Sequence, residues 1–472
     1  TYLAHTLRAI VPLSRDASEA LRSEIVGTIT DDPDALTRFA SDASHLFQLP
    51  AAAIAPRDRD DLQQLVTWAR RWKVPLVGRG GGSSLDGESV PPPDGVVVDF
   101  SGWNAILEID DADRLVRVGP GVVNRDLHLT LASHGLFFPP NPGSWTMSTI
   151  GGNAATNASG PRSFRYGSTR TWVRGLEVVL GSGELLRVGH RARKASTGPD
   201  LLGFFVGSEG TLGFFTEICL ALAPAPERRI GLVLPVPDDL AFRTTLPRLL
   251  TSPAPAFSAL EYLDRPTAAA LSRFASGRLP GETALLLLEL EATSADEESD
   301  LERVGQRLVE AGFTGDPVVY PDADQLWTLR GQSGEAIEGE GVRVHEDVAV
   351  PWSRLDELIE GTRVLAARHD VPVRLFGHFG DGNLHPGFFV DPSSERARAV
   401  RRDLMLLTKR LGGTISGEHG VGALKAPYLT LEHGEVGVSV LEAFKRRCDP
   451  DGIMNPGKLY PEPGRNPGTG AS

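Results

Sequence analysis

The chain has 472 residues, 41% of them apolar and 23% charged, with a formal net charge of −13. That length exceeds one ordinary core and asks for two domains or one large composite one. The acidic balance argues against nucleic acid as a partner, and with Cys219 and Cys448 as the only cysteines a disulfide framework or a four-cysteine iron–sulfur centre within the chain is excluded. No apolar run reaches the ~18 residues of a membrane span. Thr1 to Ala4 open without a charged-then-apolar signal segment, so the cytoplasm is the expected location, with contact at the membrane periphery left open.

In chain order, Asp31 to Ala40 reads as a short helix and Arg57 to Trp72 as a longer one, with Leu62, Leu65, Val66 and Ala69 on one face. The brief strand Val74 to Val77 runs into Gly78-Arg79-Gly80-Gly81-Gly82-Ser83-Ser84. Such a turn can present backbone N–H groups to phosphate, because glycine lets the backbone come close. It is neither GxGxxG nor a Walker loop, and a plain tight turn leaves the same trace. Strands are expected at Gly95 to Phe100, Ile106 to Ile109 and Leu115 to Val118, and an irregular loop at Pro139 to Gly143. Thr149 to Gly160 is built of small residues with Thr, Asn and Ser donors, which suits either an extended polar ligand or a tight helix–loop junction. Leu176 to Leu180 and Leu185 to Val188 form a hairpin around Gly181 to Glu184, and Phe214 to Leu222 is a further strand.

Composition shifts at Ala223 to Pro226, where the first domain boundary falls. Beyond it the strands Ile230 to Val236 and Thr283 to Leu290 alternate with helices at Leu240 to Leu250, Glu297 to Ala311 and Trp352 to His369. The pattern predicts an α+β domain with helices over a sheet. A last helix spans Gly434 to Arg447, and the Pro/Gly-rich tail from Pro461 reads as disordered.

The most informative stretch is His378-Phe379-Gly380-Asp381-Gly382-Asn383-Leu384-His385. Along one strand the two histidines would face opposite sides. A hairpin turning at Asp381 to Asn383 can instead set them across from each other. Two converging imidazoles and a carboxylate make a three-ligand metal arrangement, and Glu418 in Gly417-Glu418-His419-Gly420 is a candidate third donor. A glycine-rich hairpin whose histidines only hydrogen-bond is the alternative.

Each signal is weak alone, but their order is specific. The chain resembles the flavin-dependent D-2-hydroxyacid dehydrogenases of the vanillyl-alcohol-oxidase superfamily, a group that includes D-lactate dehydrogenases, the glycolate oxidase flavin subunit and D-2-hydroxyglutarate dehydrogenase. The motifs are Pro75 to Ser84, Thr149 to Asn153 with Thr156-Asn157, Val206 to Gly213, His378 to His385, Gly417 to Gly422 and Asp449 to Lys458. The resemblance implies an α+β fold: a PCMH-type FAD-binding domain over 1–225, a substrate-binding cap over 226–430, a segment over 431–461 returning to the FAD domain, and a tail over 462–472.

It further implies FAD held by Arg79, Gly80, Gly81, Gly82, Ser83, Ser84, Pro142, Gly143, Thr149, Gly152, Asn153, Thr156, Ser159, Glu209, Gly210, Gly213, Ile218 and Asn455. Ser83 stands where some relatives carry the histidine that bonds to the flavin, so the FAD is expected to be non-covalent. His378, His385 and Glu418 would hold Zn or Mn, His419 would be the general base, and Arg330 would clamp the substrate carboxylate. Three positions depart from the family pattern. His345, with Glu346 beside it, stands where relatives that handle a second carboxylate often have a lysine, which favours a monocarboxylate such as D-lactate or glycolate; Gly387 stands where some relatives have a polar residue and Gly334 near a threonine that some relatives use on the substrate, which leaves the substrate open. The electron acceptor would be a quinone, a cytochrome, an electron-transfer flavoprotein or a separate iron–sulfur subunit, and a homodimer is one assembly the sequence allows. Competing readings are an oxygen-using oxidase, a D-2-hydroxyglutarate-type dehydrogenase, a non-catalytic electron relay, and a zinc hydrolase on the same histidines with Glu346 or Asp381 as base.

Overall fold

The computed structural model describes residues 10–237, 241–250, 257–293, 295–314 and 316–460. The expected tail over 462–472 and the first residue of the helix expected at Leu240 lie outside them. The chain divides into two compact units: 1–159, 168–224 and 418–472 form the first, and 160–167 with 225–417 form the second.

The first unit holds two principal sheets. In the smaller, strands Thr28–Thr30, Ala52–Ala55, Val96–Asp99 and Leu76–Arg79 lie side by side in that order, the last three parallel to one another. Helix Arg59–Trp72 packs Leu62, Leu65, Val66 and Ala69 into the core beside it, as their spacing predicts. Its Asp58 cap accepts from Asp61 N, and Lys73 ends it in a left-handed turn. The larger sheet is antiparallel, in the order Ile106–Asp110, Leu115–Val118, Gly213–Ala221, Val173–Leu180, Leu185–Gly189; its last two strands are the expected hairpin. The C-terminal segment closes this unit. Leu76 N donates to Ile453 O and Asn455 N to Leu76 O, both at 2.8 Å, so the chain's end extends the edge of the smaller sheet.

The second unit is one antiparallel sheet with helices. Its strand order is Val318–Tyr320, Arg228–Val236, Ala284–Ala292, Phe257–Leu263, Val373–Gly377, Asn383–Phe388, Val344–His345, and Val348–Ala349 also pairs with Asn383–Phe388. Register decides which side chains share a face, because directly opposed residues point the same way. Glu261 is opposite Leu287, Leu263 opposite Phe376, Phe376 opposite His385, and Gly387 opposite both Arg374 and His345. One face therefore carries the apolar Leu263, Leu285 and Leu287, packed by helices Arg265–Phe274 and Ala323–Gly331, and grades into the charged Glu261, Glu289 and Glu291.

Candidate active site

In the first unit the glycine turn Gly80 to Gly82, expected at a flavin, follows the end of strand Leu76–Arg79. Gly80 and Gly81 lie tight against the Met147–Thr149 loop: a Cβ on Gly80 would run into Thr149 Oγ1, and one on Gly81 into Met147 O. Gly82 takes φ +65°. Gly80, Gly81, Asn104, Gly121, Met147 and Thr149 line part of a cavity of about 200 Å³. Thr149 caps the small-residue helix Ile150–Thr156, its Oγ1 accepting from Gly152 N at 3.2 Å, and Thr156 Oγ1 donates back to Gly152 O. Beside that helix Glu209, at φ +53°, donates its N–H to Ala155 O. Its carboxylate accepts from Val421 N at 2.6 Å and Gly422 N at 2.8 Å, directly after His419 and Gly420. Asn455 Nδ2 donates to both Glu88 O and Glu209 O.

The fit to FAD rests on polar atoms buried without a protein partner among the described residues. Arg79 Nη1, Ser148 Oγ, Asn153 Nδ2, Ser208 Oγ and Asn455 Oδ1 are such atoms, and leaving them unmet would cost far more than meeting them with a ligand. Burial also draws the Arg79 guanidinium below its ordinary pKa. Three of the five lie on residues the sequence assigns to the cofactor. Of the others so assigned, Pro142 O accepts from Trp145 N, Gly143 has open space where a Cβ would stand, Gly210 has φ +69°, Gly213 opens its strand, and Ile218 is fully buried in the apolar core. Ser159 Oγ donates to Glu418 Oε2 at 2.9 Å, and His419 Nε2 lies 3.8 Å from Glu418 Oε1.

In the second unit His378 and His385 come together, by a route the sequence did not specify. His385 pairs in register with Phe376, not with His378. The chain leaves its strand at Gly377, makes a short 3-10 turn over Phe379–Asp381, and returns through Gly382 at φ +71°. His378 sits at the start of that turn, and the two buried rings meet edge to face with centroids 5.0 Å apart.

Both imidazoles have a buried carboxylate behind them. His378 Nδ1 contacts Glu261 Oε1, and His385 Nδ1 lies 3.5 Å from Asp347 Oδ1. Asp347 is itself held by Asn383 Nδ2 at 2.7 Å and Ser416 Oγ at 3.1 Å. A carboxylate behind an imidazole is a common partner of a metal-ligating histidine, because it fixes the ring and raises its basicity; these donors fit a borderline divalent ion. Burial raises the Glu261 carboxyl, but His378 and Arg330 outweigh it and hold the group below its ordinary value.

Arg330 is placed with that network. Its Nε and Nη2 both reach Glu261 Oε2, at 2.9 and 2.8 Å, and its guanidinium lies over Phe376. One turn earlier on the same helix Trp327 Nε1 donates to Glu289 Oε2. Glu289 also takes a bidentate pair from Arg162, at 2.8 and 2.9 Å. Glu346 Oε1 accepts from Arg401 Nε at 2.7 Å, both groups buried.

The sequence reading missed Glu261, Asp347 and the Arg162–Glu289 pair. Their trace was faint but present: a lone acid inside an apolar run, as in Ala259-Leu260-Glu261-Tyr262-Leu263, needs a buried partner.

Comparison with known proteins gives a consistent result. Residues 50–189 match the FAD binding domain family and residues 225–459 the family of FAD linked oxidases, C-terminal domain. The glycolate oxidase subunit GlcD of Bacillus subtilis (strain 168) is 36% identical over 438 residues, 90% of this chain and 93% of that protein. A D-2-hydroxyglutarate dehydrogenase of Stutzerimonas stutzeri (strain A1501) is 33% identical over 453 residues, 92% of this chain and 96% of its own length. A D-lactate dehydrogenase of Anaerostipes hadrus is 33% identical over 430 residues, covering 87% of this chain and 89% of that protein. In fold the chain is similar to 4-ethylphenol oxidase from Gulosibacter chungangensis, with a TM-score of 0.75 at 19% identity over 96% of this chain and 99% of that one. No helix among the described residues is long and apolar enough to cross a membrane.

Proposed function

Because the chain belongs to the FAD-linked oxidoreductases that join a FAD-binding domain to an oxidase C-terminal domain, we propose that it oxidises a D-2-hydroxy acid to the 2-oxo acid. The observation that carries this reading is the buried, carboxylate-backed pair His378 and His385, whose rings meet edge to face. The first unit is the flavin-binding half and the second the substrate-binding half. The sequence expectation at His345 points to D-lactate or glycolate, the names of similar proteins add D-2-hydroxyglutarate, and all three stay candidate substrates of this reading.

Bound non-covalently, FAD supplies the hydride acceptor, at N5. His378 and His385 would hold a divalent metal, Zn or Mn, with Glu418 as the third donor that the sequence supplies directly after Gly417. A metal at these donors supplies Lewis acidity that lowers the pKa of a substrate hydroxyl. His419 is the general base: an imidazole beside that hydroxyl takes its proton near neutral pH while hydride leaves C2. Glu261 and Asp347 fix the rings of the two histidines. Arg330 holds Glu261 with two of its nitrogens and offers the rest of its fork to the substrate carboxylate. The acceptor that would take electrons from bound FAD would be a quinone, a cytochrome, an electron-transfer flavoprotein or a separate iron–sulfur subunit.

The test is turnover with an artificial electron acceptor over a panel of D-lactate, glycolate and D-2-hydroxyglutarate, the 2-oxo product being identified directly. Formation of the matching 2-oxo acid supports the reading; consumption of oxygen with equimolar peroxide would move it to an oxidase. Acid precipitation should release the yellow colour into the supernatant, since Ser83 offers no covalent anchor, and colour retained in the pellet would contradict that.

A further inference from the structure

His345, Gly334 and Gly387 converge on one side chain, Arg343. Its Nε donates to His345 Nε2 at 2.9 Å and its Nη2 to Gly334 O at 3.1 Å. A Cβ on Gly387 would stand 3.3 Å from Arg343 Cδ. The side chain is 3% exposed, and its Nη1 is buried with no hydrogen-bond partner among the described residues. Burial draws its guanidinium below the ordinary value, with only Glu338 and Glu340 opposing. The nearer of these, Glu338, is 3.9 Å from Nη2 and 66% exposed, so it neutralises the arginine poorly.

An arginine this buried with one N–H unmet is unstable as an isolated charge and well suited to an anion. Its place says which anion. Gly387 lies two residues beyond His385 on the same strand and the same face, one strand repeat, or ~6.8 Å, along it. The C1 carboxylate and C2 hydroxyl must sit where the proton and hydride leave, beside the histidines. A group one strand repeat further belongs to the far end of a four- or five-carbon acid. Gly387 and Gly334 put no side chain of their own beside Arg343. The monocarboxylate expectation rested on the missing lysine at His345, whereas the cation enters from two residues earlier in the chain.

Resting on the proposed function, we propose that Arg343 is a specificity-determining residue that binds a second carboxylate of the substrate, so that a 2-hydroxy dicarboxylate is the preferred substrate class.

The experiment needs no variant to begin. Glutarate and pentanoate, of equal length, are compared as inhibitors of the wild-type holoenzyme. Glutarate should bind at least ~10-fold more tightly, the scale of one charge-assisted contact. In Arg343→Met the ratio of kcat/KM for D-2-hydroxyglutarate to that for D-lactate should fall by ~10-fold or more, and Arg343→Lys should restore part of it. Equal inhibition by the two acids, or an unchanged ratio in a variant that keeps its flavin, overturns the proposal, as does pairing with Glu338 strong enough that Glu338→Gln is what opens the site to glutarate. If D-lactate alone is oxidised, Arg343 loses this role and the proposed function stands. If no 2-hydroxy acid reduces the flavin, it is the proposed function that fails.

Discussion

Glu261 stands between Arg330 and His378, and under the proposed function it is a positioning residue. A carboxylate fully inside a sheet is costly unless its partners are good, and here both are charged or can become so. Replacing Glu261 by Gln keeps the volume and removes the charge behind the imidazole. Metal content of the purified protein should then drop, with affinity lowered ~10- to 100-fold; stoichiometric metal in the variant would show that Glu261 does not serve the histidines. His419→Ala should keep its FAD and slow flavin reduction by substrate ~10²-fold or more, and a near-normal rate would remove His419 as the base. At this scale the sequence was informative where residue types are rare. Two histidines around Asp381-Gly382-Asn383 could hardly be missed. Glu261, Asp347 and Arg343 could be, because nothing local distinguishes a buried carboxylate or guanidinium from a solvated one until the sheet register brings its partner.

The element that does most to shape the site is the connection between strands Val373–Gly377 and Asn383–Phe388. Its turn depends on Gly382, whose φ of +71° suits glycine, and where a Cβ would run into Val350 O. Gly382→Ala should therefore cost of order 1–3 kcal/mol, read as a shifted denaturation midpoint, and a midpoint within error of wild type would mean that the turn can relax. The hairpin itself was legible from its flanking apolar runs. Its register was not, because the extra 3-10 turn moves His378 off the strand. Helix Glu395–Arg410 escaped notice for another reason. Its buried stripe, Ala397, Val400, Arg401, Leu404, Met405 and Thr408, has clean helical spacing, but Arg401 interrupts the apolar pattern, and only its buried pair with Glu346 makes it a core residue. Strand Phe257–Leu263 and helix Arg265–Phe274 were passed over because the preceding Pro-rich stretch obscured where they begin.

At the scale of the whole molecule, residues far apart in sequence, from Asp42 and Asp86 to Lys425 and Lys458, meet in a cluster of buried charges in the first unit. Burial, then Glu209 and Asp86, push the Glu88 carboxyl well above its ordinary value. Burial raises Glu209 to about 7 against the two N–H groups that oppose it. Lys425 at Asp86, together with Lys458 and Asp42, faces the same cluster. A carboxyl whose folded pKa is raised holds its proton in the folded state, so its stabilising contribution is complete below the ordinary carboxylate range and is lost as pH rises through about 7. The melting temperature of the holoenzyme should fall between about pH 5 and about pH 8, and Glu88→Gln should flatten that fall; an unchanged slope would take Glu88 out of the account. The sequence made this organisation readable as six motifs in order, because each motif is a backbone requirement (a glycine turn, a small-residue helix, an Asp-Pro-Asp-Gly close) rather than a matter of packing. The most direct test of the central claim is the anaerobic visible spectrum of the purified protein before and after addition of D-2-hydroxy acids. The account predicts a yellow protein whose flavin absorbance bleaches with at least one of D-lactate, glycolate and D-2-hydroxyglutarate. A protein that stays colourless when FAD is supplied, or a flavin that none of the three reduces after zinc or manganese is restored, would contradict it.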